Sequence, residues 1–155
     1  DTILALKFYS HPAYAGAFTD ALCDMLSKYI DISYDAVTWI PISKKRLRKR
    51  GYDQAELIAA KLAEKLNLPL LRTLVKVRDN RQQSTLDAAA RKGNVIGVYN
   101  LYNKNTSDIK GLNILLMDDI ITTGSTMSEA AKILKTAEPA NVTGICCAKT
   151  VVHGK

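Results

Sequence analysis

Two adjacent carboxylates followed by a run of small hydroxyl residues are the most chemically pointed feature of this 155-residue chain. Residues 114–126 read ILLMDDIITTGST. Asp118 and Asp119 follow a short apolar run. Two apolar residues come next, and Thr122, Thr123, Gly124, Ser125 and Thr126 lead into a helical pattern. This order suits a sugar phosphate. A helix N-terminus leaves backbone N–H groups unpaired and carries partial positive charge, which stabilises a phosphate dianion. Gly124 lets the backbone approach closely and adopt positive φ, and the four neighbouring hydroxyls can donate further hydrogen bonds. Carboxylates are poor partners for phosphate but good acceptors for two adjacent sugar hydroxyls, so the acid pair points to a ribose 2′,3′-diol beside the phosphate. The bland alternative is a capped helix after a polar turn, with both Asp solvated. The chain has neither a Walker A sequence nor G-x-G-x-x-G, so nucleoside triphosphate and dinucleotide readings lack their loops.

A second candidate is cationic. Lys44–Arg50 reads KKRLRKR, and the following residues are Gly51, Tyr52, Asp53 and Gln54. The chain carries 22 Lys and Arg against 15 Asp and Glu, a formal charge of +7. Six of those positive charges lie in this one segment, which leaves +1 for the rest. Concentrated charge of this kind attracts phosphates, whether on a small molecule or on nucleic acid. Three readings stand beside one another: a solvated basic loop, a diphosphate contact, and a nucleic-acid contact through Lys44, Lys45, Arg46, Arg48 and Lys49 with Tyr52 stacking on a base.

Alternating elements position both segments. Residues 17–30 carry apolar side chains at helical spacing, and 36–42 (AVTWIPI) reads as a buried strand. Asp53 and Glu56 have capping-box spacing for a helix over 55–66. Residues 70–77 are expected to be extended. A polar connection over 78–92 holds a short helical piece at 87–91 ended by Gly93, and strand 95–101 is followed by a loop over 102–110. The continuous apolar run 114–117 marks a central strand covered on both faces. Thr126 and Glu129 suggest a second capping box for a helix over 127–136, and 142–148 reads as a last strand. The alternation predicts a mainly parallel sheet flanked by helices, with ligands at the carboxyl ends of the strands.

Composition bounds the class. The chain is 47% apolar and 24% charged, one globular domain's worth of sequence. No apolar run approaches the roughly 20 residues of a spanning helix, and the N-terminus lacks a secretory pattern; membrane insertion is not expected. Cys23, Cys146 and Cys147 have no Cys-x-x-Cys spacing, which argues against a disulfide framework or a zinc site in this chain. Three thiols in a reducing compartment imply a cytoplasmic protein. The isolated His11 and His153 read as surface residues.

Residues 114–126 resemble the 5-phosphoribosyl-1-diphosphate (PRPP) binding motif of type I phosphoribosyltransferases: apolar strand, acidic pair, two apolar residues, then T-T-G-S/T-T. The run IPISKKRLRKRGYDQA resembles the P-x-P-x-x-x-x-R-x-x-x-R-G-F-N-Q-A segment of the competence protein F (ComF/GntX) family. Residues 4–10, LALKFYS, are similar to its L-K-Y motif. Arg78, Gln83, Leu86, Arg91, Asn94 and Tyr99 follow its R-x-T-x-x-Q-x-x-L-x-x-x-x-R-x-x-N-V-x-G-x-F pattern. Asn80 stands where that family usually has Thr, and Asp53 where Asn is usual.

The resemblance implies a type I phosphoribosyltransferase fold as a single domain over 1–155. It implies Mg²⁺-dependent phosphoribosyl transfer from PRPP with release of pyrophosphate. Asp118 and Asp119 would hold the ribose diol, and Thr122, Thr123, Gly124, Ser125 and Thr126 the 5′-phosphate. Metal contacts would run mostly through ligand and water, with Asp118 or Asp119 adding a direct contact. Ser43, Lys44, Arg50 and Gly51 would meet the diphosphate. Arg78 and Arg91 would act on it with the acid pair as catalytic residues. The family's competence role implies natural transformation, with imported single-stranded DNA and competence or recombination proteins as partners. Two non-enzymatic alternatives remain: a single-stranded-DNA-binding module and a PRPP sensor. Many members of the family begin with a four-cysteine zinc ribbon. A chain opening at Asp1 suggests such a ribbon upstream, and Zn²⁺ is expected only there.

Overall fold

β-branched and aromatic residues fill Ala36–Trp39, and this run forms strand β1, buried on both faces. The computed structural model describes residues 15–29, 33–78, 97–102 and 108–149. Its elements in chain order are α1 (Ala15–Tyr29), β1, α2 (Lys44–Arg50), α3 (Gln54–Leu66), β2 (Leu74–Lys76), β3 (Tyr99–Leu101), β4 (Asn113–Ile121), α4 (Ser125–Lys135) and β5 (Asn141–Lys149). Among these, no helix is long and apolar enough to cross a membrane.

Strand β4 is the centre of a parallel sheet ordered β1–β4–β5. Ala36 lies opposite Ile114 and Trp39 opposite Met117, while β4 and β5 pair from Asn113–Asn141 to Ile121–Lys149. Asp35 locks the near end. Its N–H donates to the Asn113 carbonyl (2.9 Å), and its carboxylate accepts the Asn113 N–H (2.7 Å). Outside β1, residues 69–71 run parallel to it: the Val37 N–H donates to the Pro69 carbonyl, and the Leu71 N–H to the Val37 carbonyl. Since β1 ends at Trp39, the part of β4 from Asp118 onward projects beyond it at the carboxyl edge.

Strand alternation divides the core in two. Val37, Trp39, Leu115, Met117 and Ile145 pack against Leu22 and Leu26 of α1 and against Ala55, Ile58, Ala59 and Leu62 of α3. On the other face, Ala36, Ile40, Ile114 and Leu116 pack with Ala130 and Leu134 of α4 and with Leu74 and Tyr99. Leu74 and Tyr99 come from an antiparallel pair, β2 with β3, in which Lys76 lies opposite Tyr99. A 2.6 Å hydroxyl–hydroxyl hydrogen bond between Thr38 and Thr73 ties this pair to β1.

The parallel α/β architecture agrees with the sequence expectation, and four local expectations are corrected. KKRLRKR is helix α2, not a loop. Ser43 caps it by accepting the Arg46 N–H (3.3 Å), and Gly51 ends it at φ 83°. Strand β4 does not stop at Met117 but runs through the acid pair to Ile121. Helix α4 starts at Ser125 with Gly124 as its N-cap, so Thr126 and Glu129 form no capping box; Glu129 instead accepts the Gly97 N–H (3.3 Å). Strand β1 is also shorter than 36–42, although Ile40 still donates to the Met117 carbonyl. The helical piece expected at 87–91 and the 4–10 motif lie outside the described residues.

Candidate functional site

Extending β4 past its neighbour places Asp118 and Asp119 at the carboxyl edge of the sheet. Both side chains are held along the strand. Asp118 Oδ1 accepts the Asp119 N–H (2.9 Å), and Asp119 Oδ1 accepts the Ile120 N–H (2.8 Å). Asp118 is only 8% exposed. Burial, the charge of Asp119 and a side-chain hydrogen bond shared with it push the Asp118 carboxyl up to about 7, with the charge of Asp53 adding to the shift. The Asp119 N–H opposes the shift. Two carboxylates this close cannot both ionise cheaply in a dry site.

The loop beyond them turns on Gly124, at φ 78° and ψ −2°, a left-handed conformation that costs an L side chain but not glycine. Thr122 and Thr123 are exposed on this loop. The Thr123 hydroxyl bonds the Ser125 hydroxyl (2.7 Å) and lies 3.4 Å from the Ser125 N–H. The Gly124 carbonyl takes the Ser128 N–H and starts α4. No side chain of the N-cap residue closes the helix, so its positive end faces the loop.

The basic junction meets the acidic one. The Tyr99 phenol is buried on the α4 side of the sheet. Burial raises its pKa, the charges of Asp118, Asp53 and Asp119 raise it further, and that of Arg46 opposes. Helix α2 follows β1, and the acid pair lies just past the β1-paired part of the adjoining strand β4, so both stand at the carboxyl edge of the sheet. Asp53 braces the join. One of its carboxylate oxygens accepts the Ile42 N–H (2.9 Å) three residues beyond β1, and the other accepts the Ala55 N–H (3.1 Å) at the start of α3. Burial raises the Asp53 carboxyl, the N–H groups of Ile42, Glu56 and Ala55 lower it, and the charge of Asp119 raises it. Beside Asp53, the Gln54 amide is 2% exposed, and neither its nitrogen nor its oxygen has a hydrogen-bond partner.

Placement of the other expected residues is mixed. Lys44, Lys45, Arg46, Arg48, Lys49 and Arg50 are all exposed on α2, and Tyr52 is half-buried with the Arg50 guanidinium 5.9 Å from its ring centroid. Ser43 is buried, and its oxygen is committed to the α2 cap, leaving the hydroxyl proton to donate. Arg78 is exposed just beyond β2, while Arg91 lies outside the described residues. The charges of the acid pair act on Tyr99 and Asp53, groups on elements distant in sequence that residue spacing did not connect to it.

Among the described residues, no group of three or more His, Cys, Asp or Glu side chains converges on a metal position. Magnesium needs fewer, taking one or two carboxylates with substrate phosphate and water. The acid pair fits that requirement, since a divalent cation would offset the burial cost and the like-charge repulsion that raise Asp118.

The family model for the phosphoribosyl transferase domain matches residues 52–153, from the residue before the Asp53 brace through the whole acidic junction. The chain belongs to the phosphoribosyl transferase domain family. Among its relatives, competence protein F of Haemophilus influenzae is 35% identical over 103 residues, 65% of this chain and 44% of that protein. DNA utilization protein YhgH of Salmonella typhi is 30% identical over 118 residues, 76% of this chain and 50% of that protein. The competence protein F resemblance in the sequence is thereby upheld. The chain spans about half the length of the curated relatives it matches. An adenine phosphoribosyltransferase structure superposes with a TM-score of 0.61 at 16% identity, covering 94% of this chain and 75% of its own; it shares the type I phosphoribosyltransferase fold.

Proposed function

We propose that this phosphoribosyl transferase domain binds PRPP at the β4–α4 junction and transfers its phosphoribosyl group to a nitrogen nucleophile, as one phosphoribosyltransferase-like domain within a competence role. The observation that supports the reading is the placement of the Gly124 loop, the Asp118–Asp119 pair and the cationic helix α2 at the carboxyl edge of one sheet. Residues Thr122, Thr123, Gly124, Ser125 and Thr126 receive the 5′-phosphate at the positive end of α4. Asp118 and Asp119 accept the ribose hydroxyls. Asp118 or Asp119 would hold magnesium, which would supply charge neutralisation for the leaving group. Arg46 and its neighbours on α2, at the same sheet edge, stabilise departing pyrophosphate. The C1–oxygen bond to pyrophosphate breaks as the nucleophile's lone pair forms the new C1–nitrogen bond. The protein's share is positioning and electrostatics.

Calorimetric titration of PRPP with Mg²⁺ tests this directly, beside Asp118→Asn/Asp119→Asn. Saturable binding to the parent, abolished in the double variant, is expected. A folded parent that takes up no PRPP overturns the reading.

A second reading has its own observation: six exposed cations on the seven-residue helix α2. We infer that α2 also touches the backbone of single-stranded DNA, in keeping with a relative named for DNA utilization. Neutralising Lys44, Lys45, Arg48 and Lys49 should flatten the salt dependence of binding by about 0.7 in logarithmic slope for each phosphate that these side chains no longer neutralise. An unchanged slope removes α2 from the interface.

A further inference from the structure

We propose that Arg72 and Tyr102 form a base-stacking platform for single-stranded nucleic acid, continuing a track that begins on α2; this rests on the DNA-backbone reading of α2 above. Arg72 lies between the 69–71 segment and β2, and Tyr102 directly follows β3. The Tyr102 N–H donates to the Thr73 carbonyl (2.9 Å), and the Thr73 hydroxyl bonds Thr38 of β1, so the platform stands on the sheet rather than on a loose loop. The Arg72 guanidinium carbon is 4.2 Å from the Tyr102 ring centroid. Tyr102 is 43% exposed and belongs to neither core cluster, whereas Tyr99, three residues earlier, is 2% exposed.

The pair lies near the start of α2: Thr73, the residue after Arg72, bonds Thr38 one residue before β1 ends, and α2 begins five residues beyond that end. Four residues before Glu56 stands Tyr52, with Arg50 of α2 5.9 Å from its ring centroid. Two Arg–Tyr pairs thus stand near the carboxyl end of β1, the first of them joined to the six cations of α2. Cations track phosphates, and aromatic faces accept bases of any sequence. An arginine stacked on a ring keeps its edge N–H groups for phosphate oxygens while its plane holds the ring in place. Glu56 is an opposing charge in this strip, so Glu56→Gln should tighten binding of a strand.

The test is fluorescence-anisotropy titration of the full chain with labelled oligo-dT and with an abasic strand of equal length. Tyr102→Ala should weaken oligo-dT binding by about 5- to 150-fold, the worth of one stacked base. Tyr102→Phe should restore it, and Tyr102→Ala should bind the abasic strand as the parent does, with the same salt slope. Parent-like binding of oligo-dT by Tyr102→Ala overturns the platform and leaves α2 as an interface. Equal weakening on both strands also overturns it, because the residue then acts without a base. A parent that binds neither strand overturns the platform and the α2 reading together.

Discussion

Replacing Asp118 by Asn should stabilise the fold at neutral pH while abolishing ligand binding. The Asp118 carboxyl, moved from 3.8 to about 7, holds its proton more tightly in the folded than in the unfolded chain. Stability therefore falls as pH rises through that interval: the loss begins near the unfolded value and is complete once pH passes the folded one. At about 1.4 kcal/mol per tenfold, the upper bound on the loss is ~4 kcal/mol. The two carboxyls titrate as a pair, so part of that cost stays with Asp119, and we expect a gain of roughly 2 kcal/mol from Asn. For a chain of this size that is a rise in Tm of about 4–8 °C at pH 8. The amide oxygen still accepts the Asp119 N–H, so the strand keeps its local bond. Thermal or urea unfolding at pH 5 and pH 8 measures the effect. The advantage of Asp118→Asn should widen from pH 5 to pH 8, and added PRPP with Mg²⁺ should stabilise only the parent. Equal stability of parent and variant at pH 8, or parallel pH profiles, would refute the account of Asp118 as a carboxyl raised by burial and by the charge of Asp119.

Three further outcomes follow from single interactions. Asp53→Ala leaves the Ile42 and Ala55 N–H groups without their acceptor and should cost about 2–3 kcal/mol in urea unfolding; a loss below that of an ordinary surface change contradicts the brace. Gly124→Ala forces an L side chain to φ 78°, and we expect about 1–2 kcal/mol of destabilisation with weaker PRPP binding, read by unfolding and calorimetry. Unaltered values for both would show that the loop can reshape. Burial pushes the Cys147 thiol up to about 12 and raises Cys146 and Cys23 as well, so a disulfide exchange reagent at pH 8 should modify the native chain far more slowly than the unfolded one. Equal rates would place these thiolates in the open.

Residue order alone carried much of this protein. Alternating strand and helix patterns specified a parallel α/β sheet, because fully covered strands must be apolar on both faces and each crossover needs a helix. The run DDIITTGST marked the strand-to-helix junction as the candidate site, because carboxylates, hydroxyls and a glycine in that order have few other common uses. Asp53 was recognisable as a cap from its spacing to Glu56, and it does cap α3.

Folding decided what local pattern could not. KKRLRKR has too few apolar residues to show a helical stripe, yet Ser43 and Gly51 close it into α2. The acid pair looked like the end of a strand, but pairing with β5 carries β4 on to Ile121, since hydrogen bonds to a neighbour extend a strand beyond its apolar run. That the charges of Asp118, Arg46 and Asp53 act on Tyr99, and that the Arg72 guanidinium sits 4.2 Å from the Tyr102 ring centroid, depends on segments far apart in the chain. Spacing along a sequence encodes a face of one helix or strand. It does not encode which faces meet, because that choice is made by burying both sides of β4 at once.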